Sequence, residues 1–130
     1  MTVCRIRFAL IFALFFAVAL FGRAGAMDAQ AFVPGIEDLP LMDGLMADPE
    51  AVVIFETTDG RIVETEAHGR PSQERIMEFY GSVLPELGWE GSGRGPYVRE
   101  GEILTIDFEA GNTTADATVV RFALRPRTGG

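Results

Sequence analysis

The segment AVVIFE at residues 51–56, followed by Asp59-Gly60 and then by RIVETEAH at residues 61–68, decides the fold. Both segments are rich in β-branched residues, and Asp-Gly is a favoured two-residue turn between antiparallel strands. The pattern therefore predicts a β-hairpin. With Asp59-Gly60 as its turn, Ile54 would pair with Thr65.

Alternation along the two predicted strands assigns their side chains to two faces. One face carries Val52, Ile54, Val63 and Ala67. The other face carries Val53, Phe55, Ile62, Glu64 and Glu66. Neither face is purely polar, which predicts a helix packed over one face and partial cover of the other by the segment that precedes the hairpin.

Residues 72–88 predict the one long helix. Ser72 is a suitable N-cap, Glu74 suits the positive end of the helix dipole, and Gly88 is a typical C-terminal stop. Pro85 falls inside this pattern and predicts either a kink or a separate last turn. The apolar residues at helical spacing are Ile76, Tyr80, Val83, Leu84 and Leu87.

Three further strands are predicted after the helix, at residues 97–100, 102–109 and 115–125, with turns at Gly101 and Gly111-Asn112. The order ββαβββ is typical of an α+β fold in which one helix packs on a face of an antiparallel sheet. We expect this domain to occupy residues 51–126, with residues 127–130 as a tail.

Residues 27–50 are both apolar and rich in Pro and Gly, which predicts an irregular apolar arm. The Pro and Gly residues exclude a long helix or a central strand, while the apolar content is too high for a solvated linker. Two interpretations stay open: the arm packs on its own domain, or it docks on another envelope protein. The apolar candidates for docking are Phe32, Leu39, Leu41, Met42 and Leu45.

The first 26 residues have the order of a secretory signal peptide. Arg5 and Arg7 precede an uninterrupted apolar run at residues 8–21, and Ala24-Gly25-Ala26 follows it. The run is shorter than the roughly 20 residues that a membrane-spanning helix needs. We expect cleavage after Ala26, or alternatively after Ala31, and a periplasmic or secreted protein that leaves the membrane after cleavage.

Cleavage after residue 26 makes the protein more acidic. The whole chain has a formal net charge of −8. Residues 1–26 contain three of its eleven arginines and no acidic residue, so eight arginines then face nineteen carboxylates at a net charge of −11. Such a surface repels nucleic acid and anionic lipid, so neither is an expected partner.

The composition excludes most enzyme classes. The chain has no Lys, its one Cys (Cys4) lies in the predicted signal peptide, and His68 is the only imidazole. Phosphate-binding P-loops, Schiff-base chemistry, thiol nucleophiles, thiolate zinc sites and multi-histidine metal sites are therefore excluded for the mature chain. We predict no catalytic residues, no cofactor and no metal site.

Two weaker patterns remain. The Gly-rich segment 91–95 (GSGRG) precedes Pro96 and a strand rather than a helix, so a flexible loop is favoured over a phosphate site. Carboxylates at several strand positions could form a glycosidase pair, but strand arginines predict cross-strand ion pairs instead. The acids are Glu64, Glu66, Asp107 and Glu109, and the arginines are Arg99, Arg121 and Arg125.

Two stretches resemble a family of small exported proteobacterial proteins of uncharacterised function. The first is the P-L-M-x-G-L opening at residues 40–45, and the second is F-Y-x-x-x-L-P-x-L-G-W at residues 79–89, which ends the helix. The resemblance implies a single-domain periplasmic protein and a helix that contains Pro85 as a regular feature. It implies no catalytic residues.

The leading functional hypothesis is a non-enzymatic periplasmic binding or scaffolding module with an envelope protein as partner. Its contact surface would be the arm or the face that carries Phe55. One alternative is a small hydrolase that uses His68 with Glu66 or Ser72, or a carboxylate pair. The other is a carrier with an apolar pocket between helix and sheet.

Overall fold

The computed structural model describes residues 30–109 and 117–128 and shows an α+β fold with one helix and a mostly antiparallel sheet within them. The predicted signal peptide and the turn at Gly111-Asn112 lie outside these residues. The elements are β1 (Phe32–Val33), β2 (Ile36–Pro40), β3 (Leu45–Ala47), β4 (Val53–Thr57), β5 (Gly60–Gly69), α1 (Gln73–Glu86), β6 (Tyr97–Arg99), β7 (Glu102–Phe108) and β8 (Thr118–Pro126).

The main sheet has the order β3-β5-β8-β7-β6, and β4 lies beside β3 on the same edge of β5. The long strand β5 pairs with β4 through its first half, up to Glu64, and with β3 through its last three residues, from Ala67. Thr65 and Glu66 have no strand partner on that edge within the part of the chain that the structure describes. The sheet edge is therefore interrupted between β3 and β4.

The β4–β5 hairpin has the predicted faces but not the predicted register. Thr57 pairs with Gly60 and Ile54 with Val63, so the two turn residues are Thr58 and Asp59 rather than Asp59 and Gly60. The Thr57 hydroxyl donates to the Gly60 carbonyl at 2.5 Å. Because side chains alternate with a period of two, this shift of two residues leaves every side chain on its predicted face.

Helix α1 begins and ends where its capping residues predict. The Ser72 hydroxyl accepts a hydrogen bond at 3.3 Å from a backbone N–H of the first turn, and Pro85 lies inside the helix. Gly88 adopts a φ of +85°, and the Trp89 N–H donates back to the Leu84 carbonyl at 3.0 Å. Such a left-handed residue followed by a 6→1 hydrogen bond is the Schellman ending that Gly favours.

One core lies between the inner face of the sheet and a layer formed by α1 and the β1–β2 hairpin. Helix α1 contributes Ile76, Tyr80 and Leu84, and the Tyr80 ring packs edge-on against Phe122 of β8 at a centroid distance of 5.2 Å. The other buried apolar residues are Val33, Ile36, Leu39, Leu41, Leu45, Val63, Ala67, Trp89, Tyr97, Leu104, Ile106, Val120 and Leu124.

The expectation of an irregular arm is wrong for residues 32–47, which form three short strands. Their prolines and glycines lie at turns or strand ends, so strands of two to five residues fit between them. Gly35 turns the β1–β2 hairpin with a φ of +81°, and a Cβ there would lie 2.7 Å from a methyl group of Val63. Of the two interpretations, the structure therefore supports the one in which this segment packs on its own domain.

Candidate functional site

The most unusual surface is strand β4 at the side away from β5, which we call the β4 edge. All five residues of Val53–Thr57 are exposed, although three of them are large and apolar. The exposed fractions are 43% for Val53, 47% for Ile54 and 59% for Phe55. An exposed apolar edge strand invites pairing with another chain, and proteins commonly avoid one by means of charge, proline or cover.

Strand β4 presents apolar side chains on both faces of the sheet. Ile54 lies on the inner face, where the Gly35 turn approaches its side chain, while Val53 and Phe55 lie on the outer face. In an antiparallel edge strand, every second residue points its N–H and C=O away from the neighbouring strand. The β4 edge therefore offers both backbone hydrogen bonds and apolar contacts to an added strand.

A cleft of about 480 Å³ opens beside β4, at the interruption of the sheet edge. It is lined by Ala51, Val53, Glu64, Thr65, Glu66 and Arg121. Within the described ranges, the buried Thr65 hydroxyl has no hydrogen-bond partner. The cleft is continuous with β4, because Val53 belongs to both.

The electrostatic surroundings of β4 are acidic. Glu50, Glu56, Asp59 and Glu64 form no ion pair with any residue of the described segments. The nearest cation among the described residues, Arg61, lies opposite Glu56 in the β4–β5 pairing, and its guanidinium is 3.4 Å from the Glu102 carboxylate.

Arg121, which lines the cleft, is also engaged. Its guanidinium donates to Glu66 at 2.9 Å and 2.5 Å and lies 3.4 Å from Glu109. The hydrogen bond and the charge of Glu66 raise the pKa of Arg121 further above its usual value. These contacts match the ion-pair interpretation for Glu66 and Glu109. Within the described residues Glu64 forms no ion pair, although its charge also raises the pKa of Arg121.

The predicted docking residues divide into buried and exposed ones. Leu39, Leu41 and Leu45 are buried in the core, and Met42 packs partly buried against it, so these four offer little contact surface. Phe32 is half exposed and Phe55 more so.

Sequence reasoning proposed the face that carries Phe55 and Val53 as a contact surface without naming Val53 as a candidate, and it did not predict the exposure of Ile54 on the opposite face. Their apolar character predicted burial of the hairpin faces, and no local signal marks β4 as an edge strand. The place of a strand in a sheet depends on which distant strands pair, and here β5 and not β4 pairs with β8.

His68 shows no arrangement for hydrolysis. It is exposed on β5, and within residues 30–109 and 117–128 its side chain makes no hydrogen bond or ion pair. Ser72 is engaged as the helix N-cap. Across the described part of the chain, no three His, Cys, Asp or Glu side chains lie close enough together to hold a metal ion.

The carbonyl groups of the Gly-rich loop accept hydrogen bonds from neighbouring strands of the same domain. The Tyr97 hydroxyl donates to the Gly93 carbonyl at 2.6 Å, and the Ile106 N–H donates to the Arg94 carbonyl at 2.9 Å. The Arg94 guanidinium lies 5.2 Å from the centre of the Phe108 ring. Because these carbonyls accept hydrogen bonds from strand residues, the loop resembles a packed turn and not a phosphate cradle built from N–H donors.

Arg99 does not pair with the outer-face acids; it connects other elements of the fold. It forms an ion pair with Asp38 of β2 and donates at 3.0 Å to the Leu87 carbonyl at the end of α1. Its guanidinium lies 4.4 Å from the centre of the Trp89 ring. Arg99 thereby joins β2, β6 and the helix end, and it also lines a second cleft of about 370 Å³.

Comparison with known proteins does not assign this chain to a family. No family model, no curated protein and no solved structure matches this chain. The resemblance to exported proteobacterial proteins therefore stays a prediction. Among the described residues, no helix has the length and apolar character needed to cross a membrane.

Proposed function

We propose that the protein is a non-enzymatic binding module of the periplasm, and that its contact surface is the β4 edge. The partner is an envelope protein that adds an extended segment to β4. The observation that carries this proposal is the exposure of Val53, Ile54 and Phe55 on a strand that, among the described residues, pairs with β5 alone. Main-chain hydrogen bonds supply affinity in this mode of recognition, and alternate side chains supply specificity.

The alternatives have less support. A hydrolase would need His68 near an acid or a hydroxyl, and its imidazole is exposed without such a partner among the described residues. A carrier would need a cavity between helix and sheet. That space is filled by buried side chains such as Ile76, Leu84 and Phe122, and the two clefts described above are surface clefts lined by charged residues.

Export is part of the same proposal, and the fold favours one of the two cleavage sites. The Leu41 N–H donates to the Ala31 carbonyl at 2.8 Å, and the Gln30 side chain reaches the Leu41 carbonyl at 3.3 Å. Cleavage after Ala31 would remove both contacts, whereas cleavage after Ala26 keeps them. We expect the intact mass of the exported protein to match a chain that begins at Met27. A mass that begins at Met1 would contradict export by a cleaved signal peptide.

Site-specific photocrosslinking in the living host tests the binding surface. A photoreactive phenylalanine analogue at position 55 is expected to crosslink to one envelope protein. The matched position is Ser82, which is also exposed but lies on α1, and it is expected not to crosslink to that protein.

A further inference from the structure

We infer that the β4 edge selects extended segments in which pairs of apolar residues alternate with pairs of lysine or arginine, so that each face of the added strand carries both kinds of side chain. This inference rests on the proposed function and names the chemistry of the partner. It follows from two properties of the same surface: apolar side chains on both faces of β4, and acidic side chains around it that form no ion pair within the described residues.

The apolar requirement comes from the faces of β4. An added strand would place its own side chains beside Phe55 on the outer face and beside Ile54 on the inner face. Neighbouring strands lie about 4.8 Å apart, so apolar side chains at these positions would contact the exposed rings and methyl groups. Polar side chains there would leave the apolar surface in water.

The cationic requirement comes from the acids that flank those positions. Glu56 lies in β4 itself, next to Ile54 on the inner face, and Glu64 pairs with Val53 on the outer face. Glu64 also lines the cleft of about 480 Å³, where Arg121 is already engaged by Glu66. Lysine and arginine have long side chains. One on the inner face of the added strand can therefore reach Glu56 in β4, and one on the outer face can extend across β4 toward Glu64 in β5.

The same charges disfavour a second copy of this chain as the occupant. A second copy would bring another Glu56, Glu64, Asp59 and Glu50 to the interface, together with the net negative charge of the whole chain. Uncompensated like charges across an interface suppress pairing. A basic and apolar segment offsets the acids and covers the apolar side chains at the same time.

Three synthetic ten-residue peptides test this inference on the folded mature protein. They repeat Val-Val-Lys-Lys, Val-Val-Thr-Thr and Val-Val-Glu-Glu, so that each face of the added strand carries both residue types. Dissociation constants measured by fluorescence anisotropy at 0.15 M salt are expected to be about fivefold to tenfold lower for the lysine peptide than for the threonine peptide, because each exposed ion pair adds modestly. The glutamate peptide is expected to bind most weakly.

Variants and a modified peptide separate strand addition from general attraction to an acidic protein. Glu56→Gln combined with Glu64→Gln is expected to abolish the preference for lysine over threonine, while Glu78→Gln on the exposed side of α1 is expected to keep it. The lysine peptide with N-methyl groups on its central five residues is expected to lose binding, because it cannot hydrogen-bond to a strand edge.

The outcomes distinguish the two proposals. Equal binding of lysine and threonine peptides, lost in the N-methylated form, would overturn the charge selectivity and leave strand addition in place. Undiminished binding of the N-methylated peptide, or binding by none of the peptides, would overturn strand addition at β4 as well. Concentration-dependent self-association that competes with the peptides would show that the edge accepts a second copy instead.

Discussion

A protein that lacks residues 32–46 is expected to lose its cooperative unfolding transition. The deletion removes five buried side chains, and each contributes about 1.5–3 kcal/mol when fully buried. The total is comparable with the 5–15 kcal/mol that separates a typical folded domain from its unfolded chain. The five are Val33, Ile36, Leu39, Leu41 and Leu45. Circular dichroism during urea titration measures the effect, and a retained sigmoidal transition would show that the segment is dispensable.

A graded version of this test uses two single substitutions in the same segment. Leu39→Ala is expected to lower the free energy of unfolding by about 2–5 kcal/mol, because Leu39 is fully buried in the core. Met46→Ala, at an exposed position of β3, is expected to change it by less than about 0.5 kcal/mol. Similar effects at the two positions would contradict the packing of residues 32–47 against the sheet.

Tyr80→Ala is expected to cost about 3–5 kcal/mol, and Tyr80→Phe about 1–3 kcal/mol. The Tyr80 ring fills the junction between α1 and β8, and its hydroxyl donates to the Pro40 carbonyl at 3.0 Å and accepts from the Met42 N–H at 3.4 Å. Phenylalanine keeps the ring but leaves both backbone groups without the hydroxyl. Urea unfolding at pH 7 measures both variants, and a neutral Tyr80→Phe would show that the hydroxyl contributes nothing to the attachment of β2.

The same tyrosine makes stability depend on alkaline pH. Burial raises the pKa of Tyr80 well above its usual value of 10, partly offset by the Met42 N–H, and burial also raises the pKa of Tyr97. Above about pH 10 the unfolded chain loses the Tyr80 phenolic proton that the folded chain keeps, so the free energy of unfolding falls as pH rises, by up to about 1.4 kcal/mol per pH unit for Tyr80. Tyr97 acts in the same direction. Tyr80→Phe is expected to have the shallower slope. Equal slopes for wild type and variant would contradict this assignment.

The parts of the fold that depend on local chemistry could be predicted from the sequence. The helix ends follow from Ser72 and Gly88, whose side-chain and backbone preferences act within one turn. The two faces of the β4–β5 hairpin follow from alternation. Its turn was predicted one residue too late, because Asp59-Gly60 matches a common turn pair, whereas the observed strand pairing places Gly60 as the first residue of β5.

The parts that depend on distant pairing could not be predicted. Residues 32–47 appear irregular by composition, yet their short strands are stabilised by contacts with Tyr80 and with the end of β5. The exposure of Val53 and Ile54 follows from β4 lying at an edge, a property of the whole sheet. For the candidate site, the sequence therefore predicted Phe55 but assigned the larger share to residues such as Leu39 and Leu45 that are buried in the core.

Photocrosslinking at position 55 is the most direct measurement of the central claim, that the β4 edge binds an extended segment of an envelope protein. In the host periplasm we expect one crosslinked partner at position 55, none at position 82, and loss of the product when Ile54→Lys places a charge on the edge. Mass spectrometry of the product is expected to map the crosslink to an extended segment with basic and apolar residues. Equal crosslinking at positions 55 and 82, or a product that Ile54→Lys leaves unchanged, would contradict the assignment of β4 as the binding surface.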